Sequence, residues 1–272
     1  MIVDGRQIAA SVLAATKEQV ALFDHVPVVR AITCAPSAAT LSYLRIKAAR
    51  AQDAGMRLEV VELPDTATEE AFEHAILAPG ADAVIVQLPL PAHLDTNRIV
   101  NTIPLEQDAD VLSQVAYEAF LHSESALMPP VVAAIETIFN AHYVDPMGVR
   151  AVVVGQGKLV GLPAKEWLTR MGAHVTTVTR EHTNPDALKQ ADLIISGAGV
   201  PGLITPGQIQ EGVVLIDAGT SESGGQITGD IDAACAQKAA LYTPVPGGVG
   251  PVAVACLFRN VASLLERSLH HG

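Results

Sequence analysis

The strongest constraint on the fold is an alternation, repeated along the chain, of short apolar β-branched runs with segments of helical periodicity. The runs VPVVRAITC (26–34), LEVVEL (58–63) and DAVIVQLPL (82–90) predict strands, and helices are expected near 37–54 and 68–77. Strands that are apolar on both faces and separated by helices are typical of a parallel sheet covered by helices on each side. The first part of the chain is therefore predicted to be an α/β domain.

A second series of strands begins after residues 116–142, a region of helical character that carries Pro129 and Pro130. The runs that predict these strands are VRAVVVG (149–155), HVTTVT (174–179), ADLIISGAG (191–199) and GVVLIDAG (212–219). The final apolar segment, VAVACLFRNVASLLERSL, has helical spacing and predicts a terminal helix that packs on the first domain.

A chain of 272 residues, 49% of them hydrophobic, is long enough to fill two cores. We therefore predict an α/β protein of two domains with parallel sheets and an active-site cleft between them. The first domain comprises residues 1–140 and the C-terminal helix 252–272. The second, residues 141–251, is a Rossmann-type dinucleotide-binding domain.

Composition excludes several classes of partner. A net charge of −12 and a pI near 5.1 oppose binding to nucleic acid, which depends on many Lys and Arg contacts to phosphate. Every apolar run is expected to be broken before the ~20 residues that a membrane span needs. Asp4 and Arg6 interrupt the apolar core that a signal peptide would require, so no export signal is expected.

Cysteine and histidine usage favours a reduced compartment without a metal site. The three cysteines, Cys34, Cys235 and Cys256, are far apart and form no CxxC pair. The nine histidines are scattered and show no metal-ligand spacing, so no metal is expected. These observations predict a cytoplasmic protein.

A glycine-rich loop follows the first strand of the second series, in VVVGQGKLVGLPAKEWL. Gly155, Gly157 and Gly161 stand between a strand and a helix, where backbone N–H groups can approach a pyrophosphate. The spacing is one residue longer than the usual dinucleotide fingerprint, and tight-turn glycines without a ligand are the alternative. The candidate cofactor-binding residues are Gly155, Gln156, Gly157, Lys158, Leu159, Arg180, Ala198 and Gly199.

The end of the next strand bears on the choice of cofactor. Arg180 has a planar fork suited to the 2′-phosphate of NADP, whereas the adjacent Glu181 suits the ribose hydroxyls of NAD. We favour NADP, because the glutamate can turn to solvent, and NAD remains the alternative.

Polar side chains in the first domain are the candidate catalytic residues. Tyr43 and Lys47 are four apart and lie on one helical face, although such pairs are common on solvated faces. Gln87 interrupts an apolar strand near its carboxyl end, either as a site residue or as a core amide bonded to backbone. Asp108 and Asp110 form either a ligand clamp or solvated turn acids.

The loop in YTPVPGGVGPVAVA (242–255) combines rigid prolines with flexible glycines. Its glycines allow close approach of a ligand, while its prolines fix the backbone and remove donors. A plain linker is the alternative, but linkers seldom combine such rigidity with an apolar lead into a helix.

Together these segments resemble the bifunctional methylenetetrahydrofolate dehydrogenase/methenyltetrahydrofolate cyclohydrolase family. The motifs occur in order over nearly the whole chain: VDGRQIAA, TLSYLRIKAARAQDAG, VIVQLPLP, IPLEQDADV, VVVGQGKLVGLPAKEWL, GDID and TPVPGGVGP. The family's tyrosine and lysine, its VQLPLP strand and its KDVDG aspartate fall on Tyr43, Lys47, Gln87 and Asp110.

The resemblance implies roles for these residues. Lys47 would transfer a proton during hydrolysis, Gln87 would help to lower its pKa, Tyr43 would stack on or hydrogen-bond the folate, and Asp110 would accept from the pterin. The substrate would also meet backbone at the junction of folate and cofactor, in Pro246, Gly247, Gly248 and Val249. The implied activities are oxidation of 5,10-methylenetetrahydrofolate with NADP and hydrolysis of the product to 10-formyltetrahydrofolate. The implied partners are tetrahydrofolate derivatives and a second copy in a homodimer.

Four departures from the family pattern qualify this expectation. Lys-Asp-Val-Asp-Gly becomes QDADV (107–111), Gly-Arg-Ser becomes GQG (155–157), Pro-Cys-Thr-Pro becomes LMPP (127–130), and Pro-Met-Thr becomes PVA (251–253). The first predicts a reshaped folate-side loop, and the others remove an arginine and hydroxyls expected near the cofactor. The alternatives are thus an NAD-using or specialised one-carbon paralogue, or a folate-binding regulatory relative that has lost turnover.

Overall fold

The computed structural model describes residues 1–124, 127–182, 184–223 and 226–271, which divide into two compact units. One, here called the first unit, comprises Ala10–Pro130 and Val254–Gly272. The other, the second unit, comprises Met1–Ala9 and Val131–Ala253. Each contains a parallel sheet with helices. The predicted fold class, two α/β domains with parallel sheets, is confirmed.

The first unit is built mainly from the first eight helices and strands of the chain. In order, these are α1 (Gly5–Val20), β1 (Val28–Cys34), α2 (Ala38–Asp53), β2 (Arg57–Leu63), α3 (Glu69–Leu77), β3 (Ala83–Val86), α4 (Thr96–Val100) and α5 (Gln114–Leu121), with a 3₁₀ turn at Leu105–Gln107 before α5. Helix α1 begins in the nine residues that belong to the second unit.

The sheet of the first unit has the order β2-β1-β3, with both pairings parallel. Every residue of β1 is buried, as expected for a central strand covered on both faces. Strand β3 ends at Val86, which pairs with Ile32, and is therefore shorter than the predicted run 82–90. Gln87 follows directly beyond the carboxyl end of the strand.

Helix α2 has a defined start and a buried face. The hydroxyl of Ser37 accepts a hydrogen bond from the N–H of Thr40 at 3.1 Å, which caps the first turn. Leu44, Lys47 and Ala51, spaced by three and four residues, are its buried side chains. The ammonium of Lys47 therefore lies on the face that packs inward.

The remaining elements belong mainly to the second unit, but α9 lies in the first unit from Val254 onward. They are α6 (Pro130–His142), β4 (Arg150–Val154), α7 (Gly161–Arg170), β5 (His174–Val178), α8 (Pro185–Gln190), β6 (Leu193–Ser196), β7 (Val214–Asp217), β8 (Ser221–Ser223), β9 (Gln226–Thr228), β10 (Leu241–Tyr242) and α9 (Val249–His271). The region 116–142, predicted as helical, contains two helices, because Pro130 opens α6 as a new helix.

The five-stranded sheet has the order β10-β7-β6-β4-β5, and all its pairings are parallel. Counted within this sheet, the order is 2-1-3-4-5, a doubly wound arrangement that reverses direction between β4 and β6. Ligands of such sheets bind outside the carboxyl ends of the two strands at the reversal. In this unit the glycine-rich loop follows β4, and Ser196 ends β6.

Residues 1–9 lie in the second unit, although the sequence-based division assigned them to the first domain. Ile2 forms a parallel bridge with Tyr242 of β10, and the N–H of Val3 donates to the carbonyl of Tyr242 at 2.9 Å. This pairing joins segments about 240 residues apart, so local patterns along the chain contain no signal for it.

The C-terminal helix α9 corrects one expectation about apolar runs. Its Val249–Arg267 window has the length and hydropathy of a membrane span, but 67% of that window is buried within the protein. In the first unit, Nδ2 of Asn260 donates to the carbonyls of Ala109 and Met128, both at 2.9 Å. These features are typical of the core helix of a globular protein.

Candidate active site

The buried lysine of α2 meets the glutamine that follows β3. Nζ of Lys47 donates a 3.0 Å hydrogen bond to Oε1 of Gln87, and Nε2 of Gln87 donates to the carbonyl of Leu88 at 2.9 Å. The same Nζ lies 4.9 Å from the centroid of the Tyr43 ring, a cation–π distance. Three residues that were singled out from sequence are thus brought together in the first unit.

Burial sets the pKa values in this cluster. Lys47 is only 5% exposed, and removal of its ammonium from water lowers its pKa, which the negative charge of Asp110 partly opposes. The pKa of Tyr43 is raised to about 12, first by desolvation and then by Asp110, although 41% of the whole residue remains exposed. Burial therefore makes the Lys47 amine easier to deprotonate than a solvated lysine and keeps the Tyr43 phenol protonated.

Asp110 is a half-buried carboxylate close to this cluster. Its pKa is raised, mainly by burial and also by the nearby Asp108, while Lys47 lowers it. Within the part of the chain that the structure describes, no group donates a hydrogen bond to the Asp110 side chain. Its oxygens are thus available to donors from a ligand.

Asp108 is not a solvated turn acid, and its oxygens are engaged by backbone rather than open to a ligand. It is fully buried, and its two oxygens accept from the N–H groups of Leu112 at 3.1 Å and Ser113 at 2.8 Å. Val111, which lies between Asp108 and Leu112 in the sequence, has φ +55° and is only 4% exposed. Asp108 therefore fixes the turn that carries Asp110, and this turn places a β-branched residue in the left-handed region.

In the second unit, the glycine loop after β4 is packed too closely for side chains. Gly155 has φ +97°, and a Cβ there would lie 2.9 Å from the carbonyl oxygen of Gly197. A Cβ on Gly161 would collide with the carbonyl oxygen of Gly155, and one on Gly197 would collide with Val160. The loop after β4 and the loop after β6 thus touch through backbone at the reversal of strand order.

The other predicted cofactor residues border this contact. Gln156, Gly157, Lys158 and Leu159 are exposed, and a Cβ on Gly157 would meet open space. The N–H of Gly155 donates to the carbonyl of Val178, the last residue of β5, at 2.9 Å.

Arg180 lies two residues beyond that contact. It is exposed at the tip of a turn, where the N–H of Thr179 donates to His182 O and Thr179 Oγ1 accepts from His182 N–H, both at 3.1 Å. The turn also carries Glu181, so both residues considered for cofactor choice lie at its tip.

The proline- and glycine-rich loop lies in the second unit with the start of the chain. Gly247 has φ +110°, and its carbonyl accepts from the N–H of Gly5 at 3.0 Å. A Cβ on Gly5 would collide with the carbonyl oxygen of Gly248. Sequence reasoning missed this role of Gly5, for which the VDGRQIAA motif was the available signal.

The structure therefore groups the predicted residues in two sets. Tyr43, Lys47, Gln87 and Asp110 lie together in the first unit, and the glycine-loop residues, Arg180, Ala198 and Gly199 lie in the second. Pro246, Gly247, Gly248 and Val249 also belong to the second unit. Across the described ranges, no cluster of three or more metal-ligating side chains occurs.

Sequence comparison identifies the family to which the chain belongs, and its two matching models cover both sets of residues. Residues 3–110 match the tetrahydrofolate dehydrogenase/cyclohydrolase catalytic domain, and residues 129–269 match the NAD(P)-binding domain of the same family. The chain therefore belongs to the tetrahydrofolate dehydrogenase/cyclohydrolase family.

Individual relatives agree over the full length. The bifunctional protein FolD of Lacticaseibacillus paracasei is 32% identical over 97% of each chain. That of Staphylococcus aureus is 33% identical over 100% of this chain and 98% of its own. The Trypanosoma brucei methylenetetrahydrofolate dehydrogenase-cyclohydrolase, solved with NADP and an inhibitor, is 32% identical over 99% of this chain and 98% of its own, with a TM-score of 0.93.

Proposed function

We propose that this protein oxidises 5,10-methylenetetrahydrofolate to 5,10-methenyltetrahydrofolate with NADP and hydrolyses that product to 10-formyltetrahydrofolate. The observation that carries the proposal is the buried Lys47, hydrogen-bonded to Gln87 at 3.0 Å, in a member of a dehydrogenase/cyclohydrolase family. A buried amine with a lowered pKa gives up its proton more readily than a solvated lysine and is therefore better suited to proton transfer. The full-length FolD relatives support the same pair of reactions.

Lys47 is assigned to the hydrolytic step. A bond forms between the oxygen of water and the methenyl carbon, and the bond from that carbon to one ring nitrogen breaks. The oxygen loses two protons in total, of which one goes to the released nitrogen and the other to solvent. The neutral amine of Lys47 takes the first proton and returns it to the nitrogen, while Gln87 holds the amine in place.

Oxidation needs alignment more than it needs a base. A hydride leaves the methylene carbon with its electron pair, and the lone pair of the adjacent nitrogen stabilises the resulting cation. Bound NADP supplies the acceptor for that hydride. Tyr43 is assigned to stacking on or hydrogen-bonding the folate, and Asp110, whose oxygens have no donor among the described side chains and backbone groups, to accepting from pterin N–H groups.

The glycine loop fits a dinucleotide. The positive φ of Gly155 and the close backbone approach of Gly161 and Gly197 leave no room for side chains where a pyrophosphate would meet the start of α7. We assign cofactor binding to Gly155, Gln156, Gly157, Lys158, Leu159, Arg180, Ala198 and Gly199.

NADP is preferred over NAD because Arg180 stands exposed at the turn after β5. Its guanidinium can form a bidentate contact with a 2′-phosphate, whereas Glu181 would repel one. The T. brucei relative, solved with NADP, supports the same choice.

We assign Pro246, Gly247, Gly248 and Val249 to the junction of folate and cofactor. The contact between Gly5 and Gly247 and the positive φ at Gly247 support a backbone shaped for close approach. For the domains, we assign folate binding to the part predicted as residues 1–140 with 252–272 and cofactor binding to the part predicted as 141–251, although residues 1–9 and 131–140 fold with the second unit.

A cytoplasmic homodimer with no nucleic-acid or membrane partner completes the proposal. All three cysteines are buried thiols, which fits a reducing compartment, and the charge of −12 opposes nucleic acid. Strand β2 is an edge of its sheet and exposes Val60, a surface available for self-association. Sedimentation equilibrium tests this: a monomer at micromolar concentration would contradict the dimer.

The cofactor assignment is tested by initial rates of methylenetetrahydrofolate oxidation with NADP and with NAD. Parent protein should prefer NADP, and Arg180→Ala should lose that preference by about 10-fold, as expected when a charge-assisted contact is removed. Arg170→Ala, at the exposed end of α7, serves as the control. An NADP preference unchanged in Arg180→Ala would remove Arg180 from the site, and folate binding without reduction of either cofactor would favour a regulatory role.

A further inference from the structure

The loop that follows β6 turns three consecutive N–H groups toward one side chain. Oδ2 of Asp230 accepts from the N–H of Ala198 at 2.7 Å and of Gly199 at 3.3 Å, and Oδ1 accepts from the N–H of Val200 at 2.7 Å. The hydroxyl of Ser196, the last residue of β6, donates to Oδ2 at 2.7 Å. Four donors from one short segment therefore converge on a single carboxylate.

This side chain has the chemistry that such a loop requires. Asp230 is fully buried, and an ionised carboxylate accepts hydrogen bonds without donating any. Successive N–H groups that point the same way form a concavity that attracts an anion. Here the protein supplies the anion itself, so these three N–H groups are not available to a phosphate of the cofactor.

A second carboxylate fixes the segment that carries Asp230. Asp217 ends β7, and its oxygens accept from the N–H of Asp230 at 3.2 Å and of Ile231 at 2.9 Å. Asp217 is held in turn, because its own N–H donates to Oγ1 of Thr243, just beyond β10, at 2.7 Å. A Cβ on Gly219 would collide with the carboxyl group of Asp230, so the space around that group is closed.

The loop held in this way faces the glycine loop at the reversal of strand order. The backbones of the two loops come close at Gly155 and Gly197, where a Cβ added to Gly155 would lie 2.9 Å from the carbonyl oxygen of Gly197. The loop is also fixed on its other side, where the hydroxyl of Ser221 donates to the carbonyl of Gly199 at 2.8 Å. Asp230 thus determines the path of the backbone that carries two predicted cofactor residues.

We propose that Asp230 is a positioning residue that presets the loop Gly197–Val200 as a wall of the cofactor site that offers no backbone donor at Ala198, Gly199 or Val200 to a phosphate. The inference rests on the proposed NADP-dependent function. Pyrophosphate is held by the loop after β4 and the start of α7, because the donors of the loop after β6 are already used by Asp230.

The decisive variant is Asp230→Asn. An amide placed here retains an oxygen for the donors at Oδ2, but its NH₂ group then faces the N–H of Val200, so two donors oppose each other. The matched control is Asp232→Asn, which makes the same change of charge at an exposed residue whose Oδ1 caps Ala234 N–H at 2.8 Å.

Calorimetric titration with NADP measures the effect without turnover, and hydrolysis of methenyltetrahydrofolate without nucleotide serves as an internal control. Asp230→Asn should raise the Kd and KM for NADP by about 10-fold or more, as expected for a lost hydrogen bond to a charged group, and leave the hydrolysis rate within about two-fold. Asp232→Asn should leave all three within about two-fold, as expected of an exposed substitution. A merely structural defect would lower both activities together.

Unchanged NADP affinity in a folded Asp230→Asn variant would overturn the proposal. If that variant does not fold, Ser196→Ala decides, since it removes one donor and keeps the carboxylate. A rise of about three-fold or more in the Kd for NADP, the effect of one modest hydrogen bond, would support the proposal, and no rise would overturn it. Parent protein that binds neither NADP nor NAD would instead refute the proposed function itself.

Discussion

Nζ of Lys47 donates a 3.0 Å hydrogen bond to Oε1 of Gln87, the residue directly after the last residue of β3. A neutral amide beside a buried amine leaves its lowered pKa intact, whereas a carboxylate would favour the charged ammonium. A charge introduced at position 87 would therefore change the pH at which Lys47 becomes a base.

The pH profile of hydrolysis should show this effect. Because only the neutral amine accepts a proton, the rate should rise with pH through the pKa of Lys47, which lies below its ordinary value of 10.5. Gln87→Glu should move the rising limb to higher pH, since a negative charge would then lie beside Nζ. Initial hydrolysis rates across pH measure the shift.

Gln52→Glu is the control for this profile, because it adds the same charge on an exposed position of α2. It should leave the profile in place. A rising limb that does not move in Gln87→Glu would mean that another group titrates.

The glycine loop gives a prediction about cofactor affinity. Alanine normally stabilises a helix over glycine by about 1 kcal/mol, but at Gly161 its Cβ would collide with the carbonyl oxygen of Gly155. Gly161→Ala should therefore weaken NADP binding by about 10-fold or more, equivalent to 1.4 kcal/mol. Titration calorimetry with NADP measures the loss.

Gly207→Ala provides the comparison for this loop, because a Cβ there meets nothing within 4 Å. Its NADP affinity should match that of the parent. Equal affinities in parent and Gly161→Ala would show that the close approach of the two backbones is not needed for binding.

Val111 gives a prediction about stability. Its φ of +55° is costly for a residue with a Cβ, by roughly 1–2 kcal/mol, and glycine does not incur that cost. Both Val111→Gly and Val111→Ala lose buried side-chain atoms, but the glycine variant should be the more stable of the two by about 1 kcal/mol. Urea unfolding of the two variants gives the difference.

Val29→Gly and Val29→Ala provide the comparison, because Val29 is a fully buried residue inside β1. Their order of stability should be the reverse of that at Val111. At Val29, glycine should be less stable than alanine by roughly 0.5–1 kcal/mol, because an extended strand needs no left-handed conformation. The same order at both positions would remove backbone strain from the account of the turn that carries Asp110.

The sequence predicted most of the strands, and it singled out Tyr43, Lys47 and Gln87, which the structure brings together, because these signals are local. Lys47 and Tyr43 share a helical face, and Gln87 is a polar residue at the carboxyl end of an apolar run, so periodicity and polarity were sufficient. The bifunctional family was likewise predicted from ordered motifs and is confirmed by comparison.

The features that sequence reasoning missed depend on contacts between distant segments. Asp108 and Asp230 are acids in loops, and only the fold shows that each accepts from several backbone N–H groups. The antiparallel strands β8 and β9 have three residues each, too few for an alternating pattern to be recognised. The bridge of Ile2 to Tyr242 similarly has no local signal.

The most direct measurement of the central claim is the rate of methenyltetrahydrofolate hydrolysis by Lys47→Met, compared with its rate of methylenetetrahydrofolate oxidation. Methionine keeps the length of the buried side chain and removes the amine. Hydrolysis should fall by about 100-fold or more, while hydride transfer, which needs no base, stays measurable. Lys17→Met, at an exposed position of α1, should retain both activities. Full hydrolytic activity in Lys47→Met would contradict the account.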